Sequence, residues 1–357
     1  MRPVLHDIVE RKRRDVAARK HALDPRPASG RAGVFRAALA RPGARFILEA
    51  KRRSPSLGDL RPALDAATIV SAYSGIADAI SVVTDEPFFG GSLELLAEVR
   101  ARCTLPLLCK DFVVDPYQVG EAAHHGADAI LLMMSVLDDG DARACLAEAE
   151  RHGLDALVEV HDEIELGRAL ALGASIVGIN HRSFRDLSID LTLSGRLAPR
   201  IPAGVVVIAE SGIAGASDVD RIAPHVDAFL VGSLLMKEPD LRGAAAALVF
   251  GRVKICGLTN AADAVLAARS GAAQLGLVFA DGARRVTPAE ARAIAIAASR
   301  PVVGVFRDQT VEVIVATVRD LGLAGVQLHG SESDASVLQL RPKTRWNSRR
   351  FLLSCLL

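Results

Sequence analysis

Between residues 44 and 250 the hydrophobic positions fall into one repeated pattern. A segment with helical spacing ends in a glycine or another small residue. Four to six apolar residues follow, and then a polar one. The apolar runs are ARFILEAK (44–51), ADAISVVTDE (77–86), TLPLLCKD (104–111), ADAILLMMS (127–135), DALVEV (155–160), ASIVGIN (174–180), VVVIAESG (205–212) and VDAFLVGS (226–233). They are rich in Ile, Val and Leu and do not alternate polar with apolar, as befits strands buried on both faces of a parallel sheet. Alanine-rich, charge-rich segments such as SLELLAEVRAR (92–102) and DARACLAEAERH (141–152) lie between them. Gly126, Gly153 and Gly173 stand where helix C-caps are expected. Strand–helix alternation predicts βαβ units with right-handed crossovers. Eight units in this length predict an α/β fold: a closed TIM (β/α)8 barrel rather than an open doubly wound sheet.

Three segments fall outside this pattern. Residues 1–43 form an N-terminal helical extension: HDIVERKRRDVAARK predicts an amphipathic helix with Val4, Leu5, Ile8, Val9 and Val16 as a partial apolar stripe, and DPRPASGRAG reads as a linker. The pattern restarts over 251–340 with VKICGLT, AQLGLVFA, PVVGVF and AGVQLHG, which predicts an incomplete second (β/α) barrel. Residues 341–357, RPKTRWNSRRFLLSCLL, form a basic tail with the only Trp and no strand–helix rhythm.

The charge balance changes the picture little. Lys+Arg 43 against Asp+Glu 42 gives no global case for a nucleic-acid partner. Residues 1–55 carry 15 Lys+Arg against 5 Asp+Glu, yet the RKRR run (11–14) lacks accompanying aromatics and reads as a solvated helix face. Mean hydropathy is +0.26, but no apolar run reaches the ~18 residues of a membrane span. The N-terminus has no secretory h-region. Cys103, Cys109, Cys145, Cys256 and Cys355 show no metal spacing, so reduced thiols in a cytoplasm are expected.

In a βα barrel the chemistry sits at the C-terminal ends of the strands. A charge there, at the end of a buried run, is costly unless paired or useful. Glu49 and Lys51 end the first run, Lys110 and Asp111 the third, Glu159 the fifth, Asn180 the sixth and Glu210 the seventh. Two lysines and three glutamates on one rim make an acid–base site. Ser211-Gly212 and Gly232-Ser233 follow the last two runs, where such barrels build phosphate pockets. Ser54, in KRRSPS, reads equally as another donor or as a turn residue. Phe89 and Phe112 follow the second and third runs and, with Phe88, form either an apolar wall for a ring-bearing substrate or packing under the rim loops. His124, His125 and His329 read as structural or solvated rather than as metal ligands, and no metal site is expected.

Together these residues carry a resemblance. Residues 1–250 resemble indole-3-glycerol phosphate synthase through FILEAKRRSPSLG, VVTDEPFFGGSLELL, LPLLCKDFVVDPYQV, GADAILLM, LVEVHDEIEL, GINHRSF, VIAESGI and AFLVGSLLM. Residues 252–340 resemble the front half of phosphoribosylanthranilate isomerase through VKICGLT, GLVFADGARRVTPAEA, VVGVFRDQ and GVQLHGSES. The two families occur fused in this order in bacterial tryptophan biosynthesis. The resemblance implies a cytoplasmic carbon–carbon lyase acting on 1-(2-carboxyphenylamino)-1-deoxyribulose 5-phosphate, a small phosphorylated carboxylate, with no cofactor or metal and no nucleic-acid or membrane partner. It implies Lys110 as general acid, with Lys51 holding the carboxylate or sharing proton transfer. Glu159 would serve dehydration, and Glu49 and Asn180 would orient departing groups. Arg182, Glu210 and Ser211 would line the site, and Ser54, Gly212, Gly232 and Ser233 would hold phosphate and ribulose.

In the isomerase family a first-strand cysteine is the general base, and Cys256 matches it. The family's aspartate acid and later phosphate loops have no counterpart in this sequence, and Arg284 or Arg285 fills the arginine position at altered spacing. The pattern departs near Leu340, so no isomerase turnover is expected of this chain alone, and poor order is expected at its C-terminus. Two other readings stand beside the main one. A different phosphate-binding barrel, such as a Schiff-base aldolase using Lys51 or Lys110, is one. The other makes residues 251–357 an interaction module that docks on the first barrel or on another copy.

Overall fold

Each of the eight apolar runs becomes a strand: β1 Arg45–Ala50, β2 Ala79–Val83, β3 Leu107–Lys110, β4 Ala129–Met133, β5 Asp155–Val160, β6 Ile176–Asn180, β7 Val206–Glu210 and β8 Ala228–Val231. The structure is a computed structural model that describes residues 4–20, 31–55, 57–183, 186–251, 253–340 and 351–353. The chain divides into two compact units, residues 1–245 and 246–357. In the first unit each of these eight strands pairs in parallel with its neighbour in this series, and β1 pairs with β8, which closes an eight-stranded barrel. The βα connections are set by side-chain caps. Asp65, Ser92, Asp115, Asp138 and Asp162 each accept a hydrogen bond from the first turn of the helix that follows. Gly153 ends the helix Asp139–His152 at φ 66°, a left-handed conformation that suits glycine.

The two-residue period of a strand decides what fills the barrel. Ile47, Ala79, Leu108, Leu131, Leu157, Ile176, Ile208 and Leu230 belong to one buried cluster. Two residues further on the same face stand Glu49, Ser81, Lys110, Met133, Glu159, Gly178, Glu210 and Gly232. Apolar layers thus lie below, and a layer containing four charges lies at the rim.

The floor of the barrel is closed by α2, Val34–Leu39, whose Phe35 and Leu39 are fully buried in the same cluster. Carboxylates that precede or open the strands hold this end. Asp155 accepts from the Arg36 backbone N–H at 2.9 Å, Asp128 from Leu107 at 2.8 Å, Asp78 from Phe46 at 2.9 Å and Asp227 from Val207 at 2.8 Å.

The extension helix α1, Val4–Arg19, buries Ile8 and Val16 as its stripe predicts. One residue of the RKRR run departs from the solvated-face reading. Lys12 is only 5% exposed, and its Nζ lies 2.8 Å from Asp85 and 2.6 Å from Asp111. It stands four residues from Ile8 and four from Val16, so helical geometry places it within the buried stripe. The two aspartates follow β2 and β3, and the buried ammonium is therefore compensated on both sides.

The second unit has a parallel sheet of five strands: β9 Lys254–Cys256, β10 Gln274–Val278, β11 Val302–Phe306, β12 Gly325–Leu328 and β13 Phe351–Leu353, in that order. Four of them match the expected runs. The fifth corrects the view that the tail lacks strand character: Phe351 pairs with Val326 and Leu353 with Leu328. Three apolar residues after a basic stretch give too short a run to read as a strand from sequence. The rest of the expected tail, residues 341–350 and 354–357, lies outside the described residues. Phe279 and Phe306 stack with centroids 5.2 Å apart in the core of this unit. Val253, Ile255 and Cys256 at the β9 edge are exposed.

Candidate active site

The rim layer brings Glu49, Lys51, Lys110, Glu159 and Glu210 into one electrostatic network. Lys110 Nζ stands 3.0 Å from Glu210 Oε2 and 3.6 Å from Glu159 Oε2. Lys51 Nζ donates to Glu49 Oε1 at 2.6 Å. Glu49, Glu159 and Glu210 are each under 5% exposed. Asn180, at the end of β6, is buried, and its Oδ1 accepts from the Arg182 backbone N–H at 3.0 Å.

Burial and charge pull these groups in opposite directions. Burial disfavours the Lys110 ammonium, but Glu210, Glu159 and Glu49 more than offset it and hold Lys110 above its ordinary value. Burial pushes Glu210 up to about 7, with Lys110 opposing and Glu159 adding to the rise. Burial also raises Glu49, yet Lys51 and Lys110 outweigh it and bring that carboxyl below its usual range. The site therefore holds a firmly protonated lysine, an ionised carboxylate and a carboxyl poised near neutrality, as acid–base chemistry at pH 7 requires.

Two glycines make room for this layer. A Cβ on Gly178 would overlap Glu210 Oε1, and one on Gly232 would overlap Glu49 Oε1. Gly232 was expected only as a phosphate-loop residue, and Glu49 on the adjacent strand β1 adds this steric role. Ser211 and Gly212 follow β7 in the left-handed region, at φ 64° and 80°. Ser211 is the costlier of the two because it carries a Cβ. Ser233 opens the short helix Ser233–Met236 after β8. Ser54 is buried in the small hairpin formed by Arg53–Ser54 and Gly58–Asp59. Phe112 is buried and Phe89 half-buried, with ring centroids 5.9 Å apart, and both pack against the barrel cluster. Arg182 is half-buried on the loop after β6.

His161 is a residue that sequence reasoning missed. Its Nε2 lies 3.4 Å from Glu159 Oε1, and its Nδ1 lies 3.1 Å from Glu165 Oε2. The strand alternation that puts Glu159 inside also places residue 161 on that side, and Glu165 stands four residues further on.

A family model for indole-3-glycerol phosphate synthase matches residues 5–248. The chain belongs to the indole-3-glycerol phosphate synthase family. A second family model, N-(5'-phosphoribosyl)anthranilate isomerase, matches residues 253–351, past Leu340. The tryptophan biosynthesis protein TrpCF of Yersinia pestis is 47% identical over 297 residues, or 83% of this chain and 62% of that protein. TrpCF of Vibrio cholerae is 44% identical over 335 residues, or 94% of this chain and 71% of its own length. The chain thus spans roughly two thirds of the curated relatives it matches. A crystal structure of phosphoribosyl anthranilate isomerase from Thermotoga maritima is 36% identical over 26% of this chain and 46% of its own, with a TM-score of 0.25. The charged rim described above lies within the synthase-family barrel.

Proposed function

We propose that the barrel closes the pyrrole ring of indole-3-glycerol phosphate from 1-(2-carboxyphenylamino)-1-deoxyribulose 5-phosphate, as a step of tryptophan biosynthesis. The observation that carries this reading is Lys110, held protonated between Glu159 and Glu210 at the rim. In this reading Lys110 donates a proton to the ribulose C2 carbonyl oxygen as the carboxylate-bearing ring carbon attacks C2. The new C–C bond leaves a hydroxyl on C2. Breaking the ring–carboxylate bond releases carbon dioxide and returns its electron pair to the ring system. Glu159 then serves the dehydration, in which a proton leaves the intermediate and the C2 hydroxyl departs as water. Lys51 binds the substrate carboxylate, and Glu49 and Asn180 orient the departing groups. Arg182, Glu210 and Ser211 line the site. The Ser211-Gly212 and Gly232-Ser233 loops, with Ser54, supply donors for the phosphate and ribulose. Phe89 and Phe112 offer the aromatic ring an apolar wall.

The raised value of Lys110 disfavours the aldolase alternative, since a Schiff-base lysine needs its amine deprotonated near neutrality. Borohydride with the carbonyl substrate is expected to leave the chain's mass unchanged, and a reduced adduct on Lys51 or Lys110 would favour the aldolase. The direct test follows the fluorescence of indole-3-glycerol phosphate after the substrate is added to the purified chain. No fluorescent product would overturn the reading.

The isomerase-like unit offers Cys256 as the base that the resemblance assigns, and we infer that this chain alone does not isomerise phosphoribosylanthranilate. A cytoplasmic setting fits the buried, unbridged thiols of Cys109 and Cys145. Among the described residues no helix is long and apolar enough to cross a membrane.

A further inference from the structure

Glu159 is held from two sides, and the proposed mechanism uses only one of them. Lys110 approaches Oε2, and His161 Nε2 faces Oε1 at 3.4 Å. Behind the imidazole stands Glu165. Its Oε2 accepts from the His161 backbone N–H at 2.8 Å and lies 3.1 Å from His161 Nδ1. Glu165 is fixed in turn, because its own backbone N–H donates to the N-capping Asp162 at 2.8 Å in the first turn of the helix Glu163–Ala171. An ionised carboxylate only accepts, so Nδ1 carries the hydrogen of that contact, and the ring is oriented with Nε2 toward Glu159. The imidazole is nearly closed off from water, with 14% of its side chain exposed.

We propose that His161 is a positioning residue for Glu159: clamped at Nδ1 by Glu165, it holds Nε2 at 3.4 Å from Glu159 Oε1 and fixes the orientation of that carboxylate at the rim.

This rests on the synthase reading above, and it assigns His161 no contact with substrate. The charged groups that face the imidazole support it. Burial lowers the histidine's proton affinity, but the hydrogen bond to Glu165 and the charges of Glu159, Glu165 and Glu210 outweigh it, leaving His161 above its ordinary value. Lys110 faces Glu159 from the opposite side and competes for the same carboxylate. When it carries a proton, His161 adds a positive charge to a rim where three buried glutamates meet two lysines.

Two measurements test the proposal. The first needs no turnover. In the full chain, the imidazole nitrogens of His161 are titrated by NMR, in the wild type and in Glu159→Gln. The wild-type midpoint is expected above the ordinary ~6.5 and should fall by roughly one unit in the variant. A midpoint that Glu159→Gln leaves unmoved would overturn the pairing. The second measures the pH profile of turnover in His161→Asn and His161→Gln. Both should lose about 10- to 100-fold in kcat, with KM within about twofold. The acid limb of kcat should move to higher pH in both. Variants with a wild-type limb and kcat, or with changes confined to KM or thermal stability, overturn it. A wild-type chain that turns over no substrate would refute the synthase reading, while the NMR titration would still judge the pairing.

Discussion

At the scale of single residues, the rim sets activity against stability. Glu210 is buried and its carboxyl is raised to about 7. A carboxyl raised on folding favours the folded state at low pH, and that contribution is lost as pH rises from the ordinary ~4.5 through about 7. Glu210→Gln removes this liability and is expected to raise Tm at pH 8 more than at pH 5, while lowering turnover. Thermal unfolding at the two pH values checks it, and an equal shift at both would refute the charge argument. For the two proposed proton-transfer groups, Lys110→Ala and Glu159→Ala should each cost roughly 10²–10⁴ in kcat with far-ultraviolet circular dichroism preserved. Near-wild-type turnover in either variant would sink the assignment. Glu49, Lys51, Lys110, Glu159, Asn180 and Glu210 were legible in the sequence because each ends a run of apolar residues that must be buried. His161 was not, because it lies one step past the last strand residue and looks like part of a capping loop. Lys12 was hidden by its neighbours: Arg11, Arg13 and Arg14 are exposed, and the run reads as one solvated patch.

At the scale of elements, α1 is joined to the rim by a buried charge rather than by apolar contact alone. Lys12 is shared by Asp85 and Asp111, and Asp111 also accepts from Thr84 Oγ1 at 2.8 Å and directly follows Lys110. Lys12→Met would strand two buried carboxylates and should destabilise the barrel by about 3–5 kcal/mol, measured by urea unfolding. Burial lowers the Lys12 ammonium's proton affinity, but Asp111 and Asp85 outweigh it and raise it above 10.5. A raised lysine stabilises the fold fully below its unfolded value, so this contribution should persist to about pH 10.5 and decay as pH rises further. The eight barrel strands were legible because parallel strands covered on both faces are continuous apolar runs with sharp polar ends. The plug α2 was not. Its six residues are too few to show a helical period, and its role depends on the floor that it fills.

At the scale of the whole molecule, the strand ladder of the first unit closes on itself, since β8 pairs with β1. Every proposed synthase residue lies between Glu49 and Ser233. A 1–250 chain is therefore expected to keep kcat within about twofold of the full chain in the indole-3-glycerol phosphate assay. A larger loss would favour the docking role for residues 251–357. Alkylation of the exposed Cys256 should likewise leave synthase turnover unchanged, with modification followed by mass spectrometry. The change from one barrel to a second strand–helix series near residue 251 was readable from the restart of the pattern. The pairing of Phe351–Leu353 was not, because a three-residue strand takes its identity from the edge it meets.

The lysine clamp on α1 also bears on the order of assembly. On the ribosome α1 emerges well before its carboxylate partners, which are made only after β2 and β3. Until then the helix carries an apolar stripe with an ammonium in its middle, a poor substrate for early collapse. The extension should therefore dock only once β2 and β3 lie side by side, so that a fluorophore on α1 would report late in refolding, after the first strands have paired.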